Sequence, residues 1–265
     1  MKNMRVGLFI PCYVNQFYPQ VGIATLELLE KLGCEVDYPL TQTCCGQPMA
    51  NSGYENLTGD CNELLTKNFS AFDYIVSPSG SCVLHVKEHL HSKKNEAGAA
   101  NIRKRSYELT EFLTDVLKVE SLPAQFPQRV GLHQSCHGQR GLHLSQMSEL
   151  VAVPFSKPER LLNMVAGLEL IALDRKDECC GFGGTFCVTE EAVSVRMGED
   201  RVRDHEAHGA EYITGTDTSC LMHLEGILKR QKSNVQVKHI AEILNAGWQK
   251  AETVFRPGLQ QVNAG

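Results

Sequence analysis

Eight cysteines in this chain fall into two sets of four. Cys12, Cys44, Cys45 and Cys82 form the first; Cys136, Cys179, Cys180 and Cys220 form the second. In each set the middle two are adjacent and a glycine follows at once, Gly46 in TCCGQP and Gly181 in ECCGFG. Thirty-one residues separate Cys12 from Cys44 and 36 separate Cys45 from Cys82; in the second set the gaps are 42 and 39. Thiolates bind soft metals, form disulfides or act as nucleophiles. A total of 11 cysteines is odd and fits a disulfide framework poorly.

Three chemistries compete for the repeated cysteines. Inert burial accounts for Cys34, Cys61 and Cys187, which have no counterpart in the other set, but not for eight aligned positions. Structural zinc favours closely spaced C-x2–4-C knuckles, which are absent here, and two adjacent thiolates would crowd one tetrahedral ion. An iron–sulfur cluster is wider, so neighbouring cysteines can serve different irons. Glycine after the pair lets the chain turn sharply and bring backbone amides close.

The cysteines are positioned by a repeat. RVGLFIPCYVNQ (residues 5–16) returns as RVGLHQSCHGQR (129–140), TCCGQP as ECCGFG, and DYIVSPSGSCVLHV (73–86) as EYITGTDTSCLMHL (211–224). ELTEFLTDVL (108–117) returns as KHIAEILNAG (238–247). The offsets of 124, 135, 138 and about 131 drift only by loop-sized insertions. The pattern predicts two duplicated α/β domains, residues 1–122 and 123–265, joined near the proline-containing stretch 121–128.

In each half short apolar runs alternate with helical patterns, which implies a small parallel sheet flanked by helices. Strands are expected at MRVGLFIP, EVDYPL, DYIVSPS, RVGLHQ, ELIAL and EYITG. VGIATLELLEKLG is expected to be a helix burying Ile23, Leu26 and Leu29, closed by Gly33. Ligands of such sheets lie beyond the strand carboxyl ends. Cys12 and Cys136 follow the first strand of each half, and Cys82 and Cys220 open a helix after a later one. Each four-cysteine set is therefore expected at one sheet edge.

The CCG-centred pattern resembles the cysteine-rich domain of heterodisulfide reductase and of iron–sulfur subunits of glycolate and glycerol-3-phosphate oxidation systems. It is more closely similar to the lactate-utilization protein A family in VGIATLELLEKLGCEVDYP, CCGQP, NSGY, VSPSGSC, CCGFGGTF, CLMH and HIAEILN, from residue 5 to residue 245. The resemblance implies a cytoplasmic electron-transfer subunit of an NAD-independent L-lactate-oxidising complex giving pyruvate. Cys12, Cys44, Cys45 and Cys82 would hold one [4Fe-4S] cluster, and Cys136, Cys179, Cys180 and Cys220 another. Other subunits of the complex, including a ferredoxin-type iron–sulfur protein, would be its partners. Two alternatives stay open: a thiol/disulfide redox enzyme like heterodisulfide reductase, and a zinc-binding module.

One departure stands out. The wider domain often ends in C-x-x-C, and here Ser79 and Asp217 occupy the first position of that pair. Four thiolates suit a cubane cluster as well as a non-cubane one, and Asp217 is expected to cap the next helix. Gly46, Gly181, Ser79, Ser81, Asp217 and Ser219 are expected to surround the ligands. His85 and His223 lie one helical turn after Cys82 and Cys220, either sharing the metal or packing beneath it. His133 and His137, flanking Cys136, could tune a centre or move protons.

Other function classes recede. A net charge of −5 gives no footprint for nucleic acid or an anionic membrane. The densest basic group, KKNEAGAANIRKR (93–105), is expected to be a solvated helix face. No apolar run reaches the roughly 18 residues of a membrane span, and the first residues lack the pattern of a signal peptide. GFGGTF fits no phosphate-loop pattern, and Gly183 and Gly184 are expected to wrap over the cysteine site.

Overall fold

The structure, a computed structural model, describes residues 4–248, so the last part of the expected second domain lies outside the described residues. The first half contains β1 (Arg5–Leu8), α1 (Cys12–Phe17), α2 (Pro19–Lys31), β2 (Glu35–Asp37), α3 (Gln47–Asn51), α4 (Gly59–Phe69), β3 (Tyr74–Ser77), α5 (Gly80–His89), α6 (Glu96–Arg105), β4 (Ser106–Glu108) and α7 (Leu109–Glu111). The second contains β5 (Arg129–His133), α8 (Lys157–Leu162), β6 (Glu169–Leu170), α9 (Phe186–Thr189), α10 (Glu191–Ala207), β7 (Tyr212–Gly215), α11 (Thr218–Gln231), β8 (Gln236–Val237) and α12 (Ile240–Leu244).

The two sheets have the same topology, β2-β1-β3-β4 and β6-β5-β7-β8, with every pairing parallel. Register repeats too: Gly7 pairs with Ile75 as Gly131 pairs with Ile213. The duplication and the α/β class read from the sequence are thus present. The outer strands β4 and β8 go beyond the sequence pattern. They contain three and two residues, too few to show a period-two alternation.

Within α2 the buried residues are Val21, Gly22, Ala24, Thr25, Leu28 and Leu29, while Ile23 is 57% exposed. The periodicity places Ile23 inside; the helix presents a different stripe because α2 packs against α12 of the other half. The stretch 93–105 is indeed largely helix α6, with Ala99 and Ile102 inserted into the core.

One apolar cluster runs through both halves, from Val6, Leu28 and Leu113 to Val130, Leu161 and Ile243. Leu122 and Ala124, in the joining stretch, belong to it. The halves also meet at the carboxyl ends of β3 and β7. There Ser79 forms an antiparallel bridge with Asp217, and the Gly80 N–H donates to the Thr216 carbonyl at 3.2 Å. This contact turns the cysteine-bearing ends of the two sheets toward each other.

Candidate metal centres

In the first half, the Cys12 thiol donates to Cys44 Sγ at 3.7 Å and the Cys45 thiol to Cys82 Sγ at 3.4 Å. The four residues come from three separate segments: the start of α1, the loop before α3, and the first turn of α5. In the second half Cys136 and Cys180 hydrogen-bond to Cys179, and Cys180 to Cys220. All 11 cysteines are free thiols. Each set is brought together as the repeat predicts.

The turns after the cysteine pairs explain the glycines. Gly46 has φ 93° and Gly181 φ 89°, in the left-handed region. A Cβ at Gly46 would meet Thr58 at 3.1 Å, and one at Gly181 the Ser194 carbonyl oxygen at 2.6 Å. The turn aims backbone N–H groups at sulfur: Gly46 to Cys44 and Gly181 to Cys179, each at 3.4 Å, and Phe182 to Cys180 at 3.5 Å.

These contacts select which thiol ionises first. Hydrogen bonds from Cys12 and then Cys45 hold Cys44 at about 2, while the bond to Cys44, followed by burial, pushes Cys12 up. Cys179 is likewise held at about 2 by Cys136 and Cys180, and Cys136 is pushed up by its bond to Cys179. Cys82 and Cys220 lie in the first turns of α5 and α11, beside the positive N-terminal ends of those helices.

Both sets open onto one cleft of about 280 Å³, lined by every one of these cysteines except Cys44, and by Gly183 and Gly184. Tyr13, Phe182 and Gln47, which the sequence did not single out, close it in a crossed pattern together with His137, which it did. Tyr13, which follows Cys12, meets Phe182, which follows the second CCG, edge to face at 6.0 Å. His137, which follows Cys136, faces Gln47, which follows the first CCG, with Nε2 atoms 3.5 Å apart. For Tyr13, Phe182 and Gln47 the only sequence signal was nearness to a cysteine motif.

Asp217 caps helices on both sides of this junction. Its Oδ1 accepts from the Ser219 N–H at 3.2 Å and hydroxyl at 2.7 Å, and its Oδ2 accepts from the Ser81 N–H at 2.6 Å. The expected cap is present, and it extends to α5 of the other half. Ser79 makes no cap; its hydroxyl lies 3.5 Å from that of Ser81.

The histidines divide. His85 is buried, stacks on His89 at 4.9 Å, and is held at about 4 mainly by burial. His223 Nε2 lies 3.2 Å from the Ser194 carbonyl, the hydrogen-bonded packing arrangement. His133 is 1% exposed, and neither ring nitrogen has a partner. One of its nitrogens and the Sγ atoms of Cys180 and Cys220 lie within 4.8 Å of one another. Burial, then the Arg201 charge, holds its ring neutral down to about 3.

The unrepeated cysteines have local roles. Cys34 is in the shared core, where burial pushes its thiol up to about 11. Cys187 donates to the Gly184 carbonyl at 3.1 Å. Cys61 is half-buried on α4 and raised mainly by burial.

Two sheets of one topology, each presenting four free thiols and a left-handed glycine at its carboxyl edge, define a duplicated cysteine-rich α/β protein. The family model for the CCG cysteine-rich domain matches it twice, over residues 6–87 and 130–225. Lactate utilization protein A of Geobacillus kaustophilus is 43% identical over 247 residues, covering 92% of this chain and 99% of that protein. Its namesake from Bacillus subtilis strain 168 is 42% identical, covering 92% and 100%. The chain belongs to the lactate utilization protein A family. Among solved structures, a hypothetical protein from Helicobacter pylori shares the fold, with TM-score 0.58 and 14% identity over 93% of this chain and 49% of that one. No helix of the described residues is long and apolar enough to cross a membrane.

Proposed function

We propose that the chain is the iron–sulfur electron-transfer subunit of an NAD-independent complex that oxidises L-lactate to pyruvate in the cytoplasm. The observation that carries this reading is the convergence of two sets of free thiols on one cleft, seven of the eight lining it and Cys44 bonded to Cys12 beside it. The donor chemistry fits a cluster: several soft thiolates, backbone N–H groups aimed at sulfur, and helix N-termini at Cys82 and Cys220. Cys12, Cys44, Cys45 and Cys82 would hold one centre and Cys136, Cys179, Cys180 and Cys220 the other. An iron–sulfur cluster supplies one-electron storage when bound.

The chain's own residues do the rest. Gly46 and Gly181 keep the N–H groups in place, and Asp217 fixes the relative position of α5 and α11 through caps on both. Tyr13 and Phe182 cover the cleft on one side. The names of the relatives support lactate utilization, and a multi-subunit system with a ferredoxin-type partner follows from that reading.

Anaerobically purified protein is expected to be brown, with about four iron and four sulfide per centre. Lactate should reduce it only when the other components of the complex are added. Colourless protein with zinc and no acid-labile sulfide would refute the assignment. The shared cleft favours one second reading, a thiol/disulfide redox enzyme acting on a small sulfur compound. Reduction of a disulfide by the isolated chain would select it.

A further inference from the structure

We propose that His133 is a nitrogen ligand of the second centre, so that the two halves hold chemically different metal sites. The inference rests on the reading that the cysteine sets bind metal.

The repeat places His133 where the first half has Phe9, at the end of the first strand of each sheet. Phe9 is 2% exposed and packs edge to face on Phe69 at 5.7 Å. His133 is equally buried, yet both its nitrogens lack a partner. Burying a polar group in that state is destabilising. A phenylalanine would fit the same fold without that penalty, as the first half demonstrates. The ring borders the cleft, and one nitrogen lies within 4.8 Å of Cys180 and Cys220 Sγ. A neutral imidazole offers a lone pair at that position.

The competing donors are already engaged. His223 Nε2 faces the Ser194 carbonyl, and both carboxylate oxygens of Asp217 accept hydrogen bonds at the helix starts. The fifth donor missing at Asp217 is thus supplied by a different strand, and only in the second half. Neutral nitrogen carries less negative charge than thiolate and raises a cluster's reduction potential, as histidine ligation does in Rieske centres. With His133 rather than a fifth thiolate as the extra donor, the second centre carries less negative charge than an all-thiolate site of the same ligand number.

The test is pulsed EPR on the full chain, reconstituted anaerobically with iron and sulfide, labelled with ¹⁵N-histidine and reduced with dithionite. A directly bound imidazole gives a strong nitrogen coupling. The coupling is expected in the wild type and in His223→Gln, and should vanish in His133→Phe, which copies the first half and whose folding is checked by thermal melting. His133→Cys should lower the potential of one centre and leave the other unchanged. Absence of the coupling in the wild type, its survival in His133→Phe, or an unshifted potential in His133→Cys would overturn the assignment.

If no iron and sulfide are taken up, the electron-transfer reading fails by itself. The ligand assignment is then read from ¹¹³Cd NMR of the cadmium-loaded chain, where sulfur-only and sulfur-plus-nitrogen donor sets resonate apart. One resonance should shift toward the sulfur-only position in His133→Phe. Identical spectra would refute His133 as a ligand.

Discussion

The two halves carry the same cysteine frame over different foundations. Beneath the first set lies an aromatic cluster of Phe9, Phe69 and Phe72, in van der Waals reach of Gly7. Beneath the second, His133 takes the place of Phe9, and His205 packs over Gly131 as Phe69 does over Gly7. Arg201, fully buried, pairs with Asp204 at 3.2 Å and leaves two of its nitrogens without partners, while burial and Arg201 hold His205 well below the ordinary histidine range. Duplication kept the cysteines at the sheet edge and let the layer below diverge. The arrangement of each cysteine set is therefore fixed by strand ends and CCG turns, while the layer buried behind it differs between the halves.

The largest expected effect separates the two centres outright. Cys82→Ser should remove the metal of the first set and Cys220→Ser that of the second, each leaving half the bound iron, and the double variant none. Equal loss of all metal from either single variant, measured by iron and sulfide analysis, would mean that the cysteines form one joint site.

Exchanging the foundations comes next. Phe9→His buries an unpartnered ring, costing the metal-free chain about 1–3 kcal/mol, and loses an edge-to-face contact of about 1 kcal/mol. His133→Phe should leave the metal-free chain unchanged or more stable, because an apolar ring of similar shape replaces an unsatisfied polar one. Urea titration of the two variants checks the asymmetry.

At the junction, Asp217→Ala removes three accepted hydrogen bonds and should cost about 2–3 kcal/mol. Ser79→Ala, at the equivalent position, should stay within about 0.5 kcal/mol. Similar losses in denaturant midpoint would show that the carboxylate does not serve both helices.

The smallest effect is on pH dependence. Glu108 and His239 sit at equivalent positions, each capping the last helix of its half with a capping box. Burial raises the Glu108 carboxyl from 4.5 to about 8, so its contribution is full below about 4.5 and is lost as pH rises through about 8. Burial lowers His239 from 6.5 to about 4, so its contribution is full above about 6.5 and is lost as pH falls through about 4. Thermal melts should show Glu108→Gln flattening the alkaline limb and His239→Asn the acid limb. An unchanged profile in both would remove this account.

Much of the site was legible because the repeat could be read twice. Cys12 and Cys136 follow the same strand signature, and Cys82 and Cys220 the same strand-to-helix turn, so each position had an independent copy. Asp217 was recognisable as a cap from its place before a helix, although its bond to Ser81 was not, since 136 residues separate them. Ile23 was misplaced because periodicity identifies an apolar stripe, and only α12 decides which stripe is covered. β4 and β8 escaped notice because their pairing partners, not their own residues, make them strands.

The sequence by itself determined the duplication, the parallel α/β class, the grouping of eight cysteines into two sets and the need for glycine after each pair. These follow from short-range patterns and from steric limits on the backbone. Only the tertiary structure decided that both sets open onto one cleft, that Tyr13 and Phe182 cross it, and that His133 rather than His85 or His223 stands free beside the thiols. Those outcomes depend on how two sheets approach across the bridge between Ser79 and Asp217. Local sequence carries no record of which distant side chains have been brought together or left without partners.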